Sequence, residues 1–290
     1  MDDGLAQRTF PNLTSLRLRS YCWDKSRQDG CECQSAVEKF LEAAPNLDSL
    51  ELDGFGILEG RLILPPRLTS LVLVDTWYAS GSDAQDPVRG FPQLKRFCTY
   101  NGKYRKLPTP PPSMAGLSEP LFQLPVADTL VTLGLCSSRL DELPAVDMGR
   151  FRALKALAIN CGSGEARSIG LLLNSIRDCR CLRDLVVDGA DRIPRDELMR
   201  FAHAVSRLEY PSLRKITLAP RDVACSQRPG LGQYVIPHPV ILRGRLRKIL
   251  RSIAEEPVPG LLRAGGVELV LHERGGNQNI RKLFAEIEES

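Results

Sequence analysis

The stretch Leu47-Asp48-Ser49-Leu50-Glu51-Leu52 shows the pattern that decides the fold: an apolar residue, two variable ones, an apolar one, one variable one and a third apolar one. Copies of the pattern recur along the chain, and two of them are incomplete, at Leu94 and Val267. The copies begin at Leu13, Leu47, Leu68, Leu94, Leu130, Leu154, Leu182, Leu213 and Val267. The alternation within each copy is the period of a strand with one buried face. Because only stacked copies can bury that face, the sequence predicts a solenoid.

Several of the segments between the copies show the spacing of amphipathic helices. Apolar residues recur there at intervals of three and four positions, within residues 37–44, 169–176, 198–205, 242–253 and 280–287. Parallel strands need such crossovers. We therefore expect an α/β fold in which residues 1–290 form a single domain of about nine irregular repeats, with a C-terminal capping helix over residues 277–290.

The pattern resembles the leucine-rich repeat, and the phrases FPNLTSLRL (residues 10–18), APNLDSLEL (44–52) and YPSLRKITL (210–218) are similar to the repeat regions of fungal F-box proteins. The chain departs from the regular repeat because the ninth position is never Asn or Cys, and the F-box itself is not present. The resemblance implies a solenoid shaped as a horseshoe, with short parallel strands on the concave face and helices and loops on the convex face. It also implies substrate recognition for a cullin-type ubiquitin ligase, with a ligase adaptor and a substrate protein as partners.

The composition narrows the class of protein. The chain has 290 residues, 43% of them hydrophobic, a net charge of +4 and nine cysteines. That charge is too small to indicate a dedicated nucleic-acid binder. No apolar stretch approaches the roughly 20 residues of a membrane span, and the start of the chain does not read as a secretion signal. We expect an intracellular protein, cytoplasmic or nuclear, with reduced cysteines and with neither nucleic acid nor membrane as a partner.

The residues that could carry chemistry do not form a recognisable motif. The three histidines, His203, His238 and His272, lie outside any nucleophile motif. The pairs Cys31-x-Cys33 and Cys179-x-Cys181 are spaced too closely for a structural zinc site. We expect no enzymatic activity, no cofactor and no metal.

Two surfaces are candidates for binding a partner protein. Strand alternation predicts that the first, the concave face, presents basic, acidic and apolar side chains in turn: Arg17, Arg19, Glu51, Asp53, Val72, Val74, Tyr100, Asn160, Asp184 and Asp188. The second is an aromatic rim in the loops just past the first strands, formed by Trp23, Phe55, Trp77 and Tyr78, since Trp and Tyr are typical of interface hot spots. Packing beneath loops is the alternative for the rim, and a solvated face is the alternative for the concave strands.

Three further possibilities stay open. The chain could be a stand-alone scaffold or regulatory protein that docks a different partner through its concave face or its N-terminal edge. A basic run over residues 243–251 is either a solvated helix face or a surface for anionic partners. Arg105-x-x-Pro108-x-x-Pro111 matches a ligand of SH3 domains and also suits an inserted loop.

Overall fold

The structure of the protein is a computed structural model that describes most of the repeats. It covers residues 9–20, 30–59, 64–79, 93–100, 128–136, 148–160, 176–190, 193–207, 209–219, 244 and 258–271. Internal contacts divide the chain into two compact units, Met1–Leu130 and Val131–Ser290. Each unit has repeats of its own, and the expectation of a single domain over residues 1–290 stays a prediction.

The described strands are parallel, and within each unit their spatial order is their order in the chain. Unit 1 contains β1 (Ser15–Arg19), α1 (Gly30–Ala43), β2 (Ser49–Glu59), β3 (Ser70–Ala79) and β4 (Arg96–Tyr100). Unit 2 contains β5 (Thr132–Cys136), β6 (Ala156–Asn160), β7 (Asp184–Asp188), α2 (Arg195–Ser206), β8 (Lys215–Ala219), α3 (Val258–Ala264) and β9 (Glu268–Leu271). The prediction of an α/β fold with parallel strands is confirmed, and the curved horseshoe stays a prediction.

The repeat pattern sets the register of the strands. In unit 1 the middle leucine of one copy pairs with that of the next, so that Leu16 lies opposite Leu50 and Leu50 lies opposite Leu71. In unit 2 the same position forms a continuous row: Leu133, Leu157, Leu185, Ile216 and Leu269. Most of these side chains are buried, and burial of one leucine contributes roughly 1.5–3 kcal/mol. The middle apolar residues of the stacked copies therefore form a ladder in register within each unit.

A turn that the sequence pattern did not include comes before the strand in most described repeats. The first leucine of the repeat donates its N–H to the carbonyl three residues earlier, as in Leu154 to Phe151 (3.2 Å) and Leu213 to Tyr210 (3.2 Å). The residue at that earlier position, here called the turn anchor, is buried in five of these turns: Ala44, Pro65, Phe151, Cys179 and Tyr210. The repeat therefore has a fourth apolar position, three residues before the first leucine.

Hydrogen bonds at the start of most described strands tie neighbouring repeats together. The carbonyl of Thr14 accepts the N–H groups of both Asp48 (2.8 Å) and Ser49 (3.0 Å), and the carbonyl of Lys155 likewise accepts those of Arg183 and Asp184. Side chains add to these links, because Asn46 Nδ2 donates to the Pro11 carbonyl at 2.9 Å. These contacts join neighbouring repeats through both backbone and side-chain groups.

Two of the predicted helices are confirmed, and a third helix was not predicted. The apolar stripes at 37–44 and 198–205 lie in α1 and α2, whose inward side chains are buried. The segments 169–175, 245–253 and 280–287, with the predicted capping helix 277–290, lie outside the described residues, and Gly244 is helical. The new helix, α3, packs against α2 and β9. The chain begins α3 at Val258-Pro259, and proline is tolerated in the first turn of a helix.

Tyr210 connects the turn before β8 to α2 and is the group whose titration we expect to affect stability. Its ring packs edge-on against Phe201 at a centroid distance of 5.2 Å. Burial raises the pKa of Tyr210 to about 12 from the usual 10.0, and the carboxylate of Glu209 acts in the same direction, while Arg177 opposes it.

Raising the pH from about 10 to about 12 is therefore expected to lower the free energy of unfolding by about 2 kcal/mol. The neutral phenol is favoured in the folded state, so its contribution is complete below pH 10 and is lost as the pH approaches 12. Urea titrations at successive pH values, on the wild type and on Tyr210→Phe, measure the difference. An identical decline in both proteins would show that Tyr210 does not carry the effect.

Candidate functional site

The candidate site lies on the predicted concave face of unit 1, where β1 and β2 bring four charged side chains together. Strand register places Arg17 opposite Glu51 and Arg19 opposite Asp53. Arg17 Nε lies 3.1 Å from Glu51 Oε1, and Arg19 Nε lies 2.9 Å from Asp53 Oδ2. Arg17 Nη2 also reaches Asp53 Oδ2 at 3.6 Å, so one carboxylate serves both arginines. The four residues, here called the charged cluster, confirm that these predicted residues share one strand face.

The two sides of the charged cluster differ in exposure. Both arginine side chains are about half exposed, at 50% and 51%, whereas the Asp53 side chain is only 7% exposed. A carboxylate in such surroundings needs charged partners, because an unpaired buried charge is strongly unfavourable. Asp53 therefore holds two guanidinium groups at the surface in a fixed position. Guanidinium groups fixed in this way suit recognition of carboxylates or carbonyl groups of a protein partner.

Asp53→Asn is expected to lower the free energy of unfolding by about 1–2 kcal/mol, because the amide cannot balance the charge of Arg17 and Arg19. Glu51→Gln, which removes the more exposed carboxylate of the same cluster, is expected to cost less than about 1 kcal/mol. Urea denaturation followed by circular dichroism gives both values. Equal losses for the two variants would contradict the central role assigned to Asp53.

The prediction that Val72 and Val74 of β3 are presented on this face is wrong. Val72 and Val74 in β3 are buried, at 7% and 6% exposure, and Cys98 in β4 is fully buried. Parallel sheets are commonly covered on both faces, and the run Leu71-Val72-Leu73-Val74 is apolar throughout, as strands covered on both faces are. Tyr100 pairs with Val74 in register, and its side chain lies outside the described residues. The binding role of these residues stays a prediction.

In unit 2 the equivalent strand positions are also largely buried. Ala158 and Thr217 are almost inaccessible, and Asp184, at the start of β7, is partly buried. Burial raises the pKa of the Asp184 carboxyl, while Lys215 and Arg183 oppose that change. Asn160 and Asp188 pair with each other in register, and their side chains lie outside the described part. Of the predicted residues Asn160, Asp184 and Asp188, the structure therefore describes the side-chain surroundings of Asp184 alone.

The predicted aromatic rim is wrong in its placement on loops. Phe55 lies within β2, and both Trp77 and Tyr78 lie within β3, because each strand continues well past the repeat pattern. Trp77 pairs with Ile57 and not with Phe55, since the register shifts between Asp53 and Gly56. Residues with high strand propensity, including Ile57 and Trp77, extend the pairing. Trp23 lies outside the described residues, and a contact of these aromatic residues with a partner stays a prediction.

Several other sequence candidates can be placed. His203 is exposed on α2, Cys181 is exposed, and Cys179 is buried with its thiol donating to the Met148 carbonyl at 3.0 Å. No group of three or more metal-ligating side chains occurs among the described residues. The basic run 243–251, apart from Gly244, lies outside the described residues, and so does the motif around Pro108. The side chains of Cys31 and Cys33 also lie outside the described part. Among the described residues, no helix is both long and apolar enough to cross a membrane.

Comparisons with known proteins give no family for this chain. Neither a protein-family model nor a curated protein matches it. A solved structure titled a "putative alpha-L-fucosidase" from Bacteroides thetaiotaomicron VPI-5482 is similar at 12% identity over 96% of this chain and 94% of that one, with a TM-score of 0.27. A likeness at that score assigns neither a fold nor a reaction to this chain.

The fucosidase bears on one expectation from the sequence. The expectation of no enzymatic activity rested on missing motifs alone, and a solved structure to which the chain is matched is titled as an enzyme. That expectation is contradicted and is withdrawn. The comparison assigns no reaction to this chain, because the match is weak.

Proposed function

We propose that this chain is a protein-interaction module that binds a partner protein through the charged cluster of β1 and β2. The observation that supports the proposal is the geometry of the cluster: two half-exposed guanidinium groups anchored on the buried carboxylate of Asp53. Stacked repeats present surface groups at regular intervals, which is how solenoids bind extended partners. Groups that are already fixed lose less entropy on binding.

The resemblance to the repeat regions of fungal F-box proteins favours one form of this function, substrate recognition for a cullin-type ubiquitin ligase. In that form the partners are a ligase adaptor and a substrate protein. A stand-alone scaffold that docks a different protein is the other form. The ligase form and the scaffold form bind different partners, and both use the same surface of the chain.

Affinity purification of the tagged full chain from its native host, with mass spectrometry of the retained proteins, tests the proposal. Recovery of a ligase adaptor supports the ligase form, and recovery of other proteins alone supports the scaffold. Retention of no protein under gentle conditions would overturn the proposed function.

A variant carrying Arg17→Lys and Arg19→Lys tests the surface itself. Lysine keeps the positive charges beside Glu51 and Asp53 but lacks the planar fork of donors, so the fold is expected to persist while partners are lost. Arg263→Lys, an exposed change in unit 2, is the matched control. Thermal unfolding confirms that each variant is folded. A folded double variant that retains every partner would show that the charged cluster is not the docking surface.

A further inference from the structure

Unit 2 carries a second charged surface that the sequence patterns did not identify. Basic residues recur at two fixed positions of successive repeats: directly after the first leucine, and two residues before it. They are Lys155, Arg183 and Arg214 at the first position and Arg152 and Arg180 at the second. All five are exposed, and together they are here called the basic strip. The signal becomes visible once the repeats are aligned on their leucines.

Backbone hydrogen bonds show that the strip is continuous. The N–H of Arg183 donates to the Lys155 carbonyl at 2.8 Å, and the N–H of Arg214 donates to the Arg183 carbonyl at 2.8 Å. These three basic residues are therefore direct neighbours just before adjacent strands, about 4.8 Å apart along the hydrogen-bonding direction.

The second row of the strip is held against the first by turn contacts. The hydroxyl of Ser212 donates to the Arg180 carbonyl, which joins the turn before β8 to the turn before β7. Arg214 Nη1 donates to the carbonyls of Pro211 (3.1 Å) and Leu213 (3.2 Å), so its guanidinium lies over that same turn. The guanidinium of Arg214 thus sits in the turn next to the one that carries Arg180.

Attraction among the five side chains does not explain the arrangement. Like charges on neighbouring strands are unfavourable, even though salt screens them at the surface. The exposed side chains do not fill the core. Arg183 acts on the carboxyl of Asp184 beside it, and the nearby carboxylate of Glu209 is paired with Arg177 at 3.1 Å. The row ends at an acidic residue, because the N–H of Glu268 donates to the Arg214 carbonyl at 2.8 Å. The strip is therefore a short positive stretch with a defined end.

We propose that the basic strip binds an extended acidic segment of a partner protein. The inference rests on the proposed protein-interaction function and names the chemistry of one partner. Three rungs span about 10 Å, and an extended peptide places alternate side chains about 7 Å apart, so two carboxylates fit along the row. Arginine pairs with carboxylates in a bidentate fashion. A nucleic-acid backbone suits the strip less well, because Glu268 ends the positive row and the net charge is only +4.

The test measures binding of a fluorescein-labelled peptide of about ten residues that alternates glutamate and serine, which places its carboxylates on one face when extended. Fluorescence anisotropy with the full chain at low salt is expected to give saturable binding that weakens as salt is added. The variant with Arg180→Glu and Arg183→Glu is expected to bind at least about tenfold more weakly. Arg263→Glu, an exposed change in α3 of the same unit, is expected to change the affinity less than about twofold.

Three results would overturn the proposal: no binding of the peptide, equal losses in the strip variant and the control, or tighter binding of single-stranded DNA of the same charge. The last result would assign the strip to nucleic acid. Circular dichroism shows that both variants fold, and Arg183→Gln, which removes the charge without reversing it, replaces the double variant if that variant is unfolded. A chain that binds the peptide but retains no protein from its host would contradict the proposed function and leave the strip intact. A chain that retains proteins from its host but does not bind the peptide would contradict the binding role of the strip and leave the proposed function standing.

Discussion

Phe151→Ala is expected to lower the free energy of unfolding by about 3–5 kcal/mol, the largest effect of any change considered. Phe151 is the turn anchor of the repeat that leads into β6, and it is only 1% exposed. Its N–H bonds to the Met148 carbonyl and its carbonyl accepts the N–H of Leu154, so the backbone has no freedom to close the cavity. Urea denaturation gives the value.

Arg152→Ala is the control for this prediction, because Arg152 is the exposed neighbour of Phe151 in the same turn. We expect it to change the free energy of unfolding by less than about 1 kcal/mol. A loss for Phe151→Ala no larger than that of the control would show that the turn anchor is not part of the apolar core.

Gly265→Ala is expected to lower the free energy of unfolding by about 3 kcal/mol, because the added methyl group has no room. A Cβ at this position would lie 2.6 Å from the Val205 carbonyl oxygen and 2.8 Å from Val205 Cγ1. The first of these atoms belongs to the backbone of α2, so α3 would have to move away from α2. Thermal and urea denaturation both report the loss.

Two other glycines nearby serve as controls for Gly265. Gly260 lies inside α3 with open space around it, so Gly260→Ala is expected to stabilise the protein by about 0.5–1 kcal/mol. Gly266 also has open space but a φ of +73°, so alanine is expected to cost about 1 kcal/mol there through backbone strain alone. Similar effects at Gly260 and Gly265 would contradict the close contact between α2 and α3.

The positions of the strands could be predicted because the leucines of each repeat obey one spacing. The observed registers follow the same spacing, since Arg17 pairs with Glu51 at the equivalent position of the next repeat. The turn anchors could have been found in the same alignment, since Phe151 and Tyr210 occupy one position relative to their leucines. The basic strip follows from the same alignment.

Other features depend on contacts that no local pattern contains. The continuation of β2 to Glu59 follows from pairing with β3 after a shift at Asp53, which one strand alone does not reveal. The pairing of Asp53 with two arginines is such a contact, because the arginines lie 34 and 36 residues earlier in the sequence. The apolar run of β3 did carry a signal, since a strand with one solvated face would alternate.

The paired hydrogen bonds at the strand starts have a consequence for how this chain can change over evolution. Each such carbonyl fixes where the next strand begins, as Thr14 does for β2 and Lys155 does for β7. The first positions of successive repeats are meanwhile separated by as few as 21 residues, from Leu47 to Leu68, and as many as 54, from Leu213 to Val267. The alignment of the strands therefore does not depend on the length of the segments that connect them. Insertions and deletions in the connections can alter the displayed surface while the repeat core remains unchanged, which makes the architecture tolerant of new recognition loops.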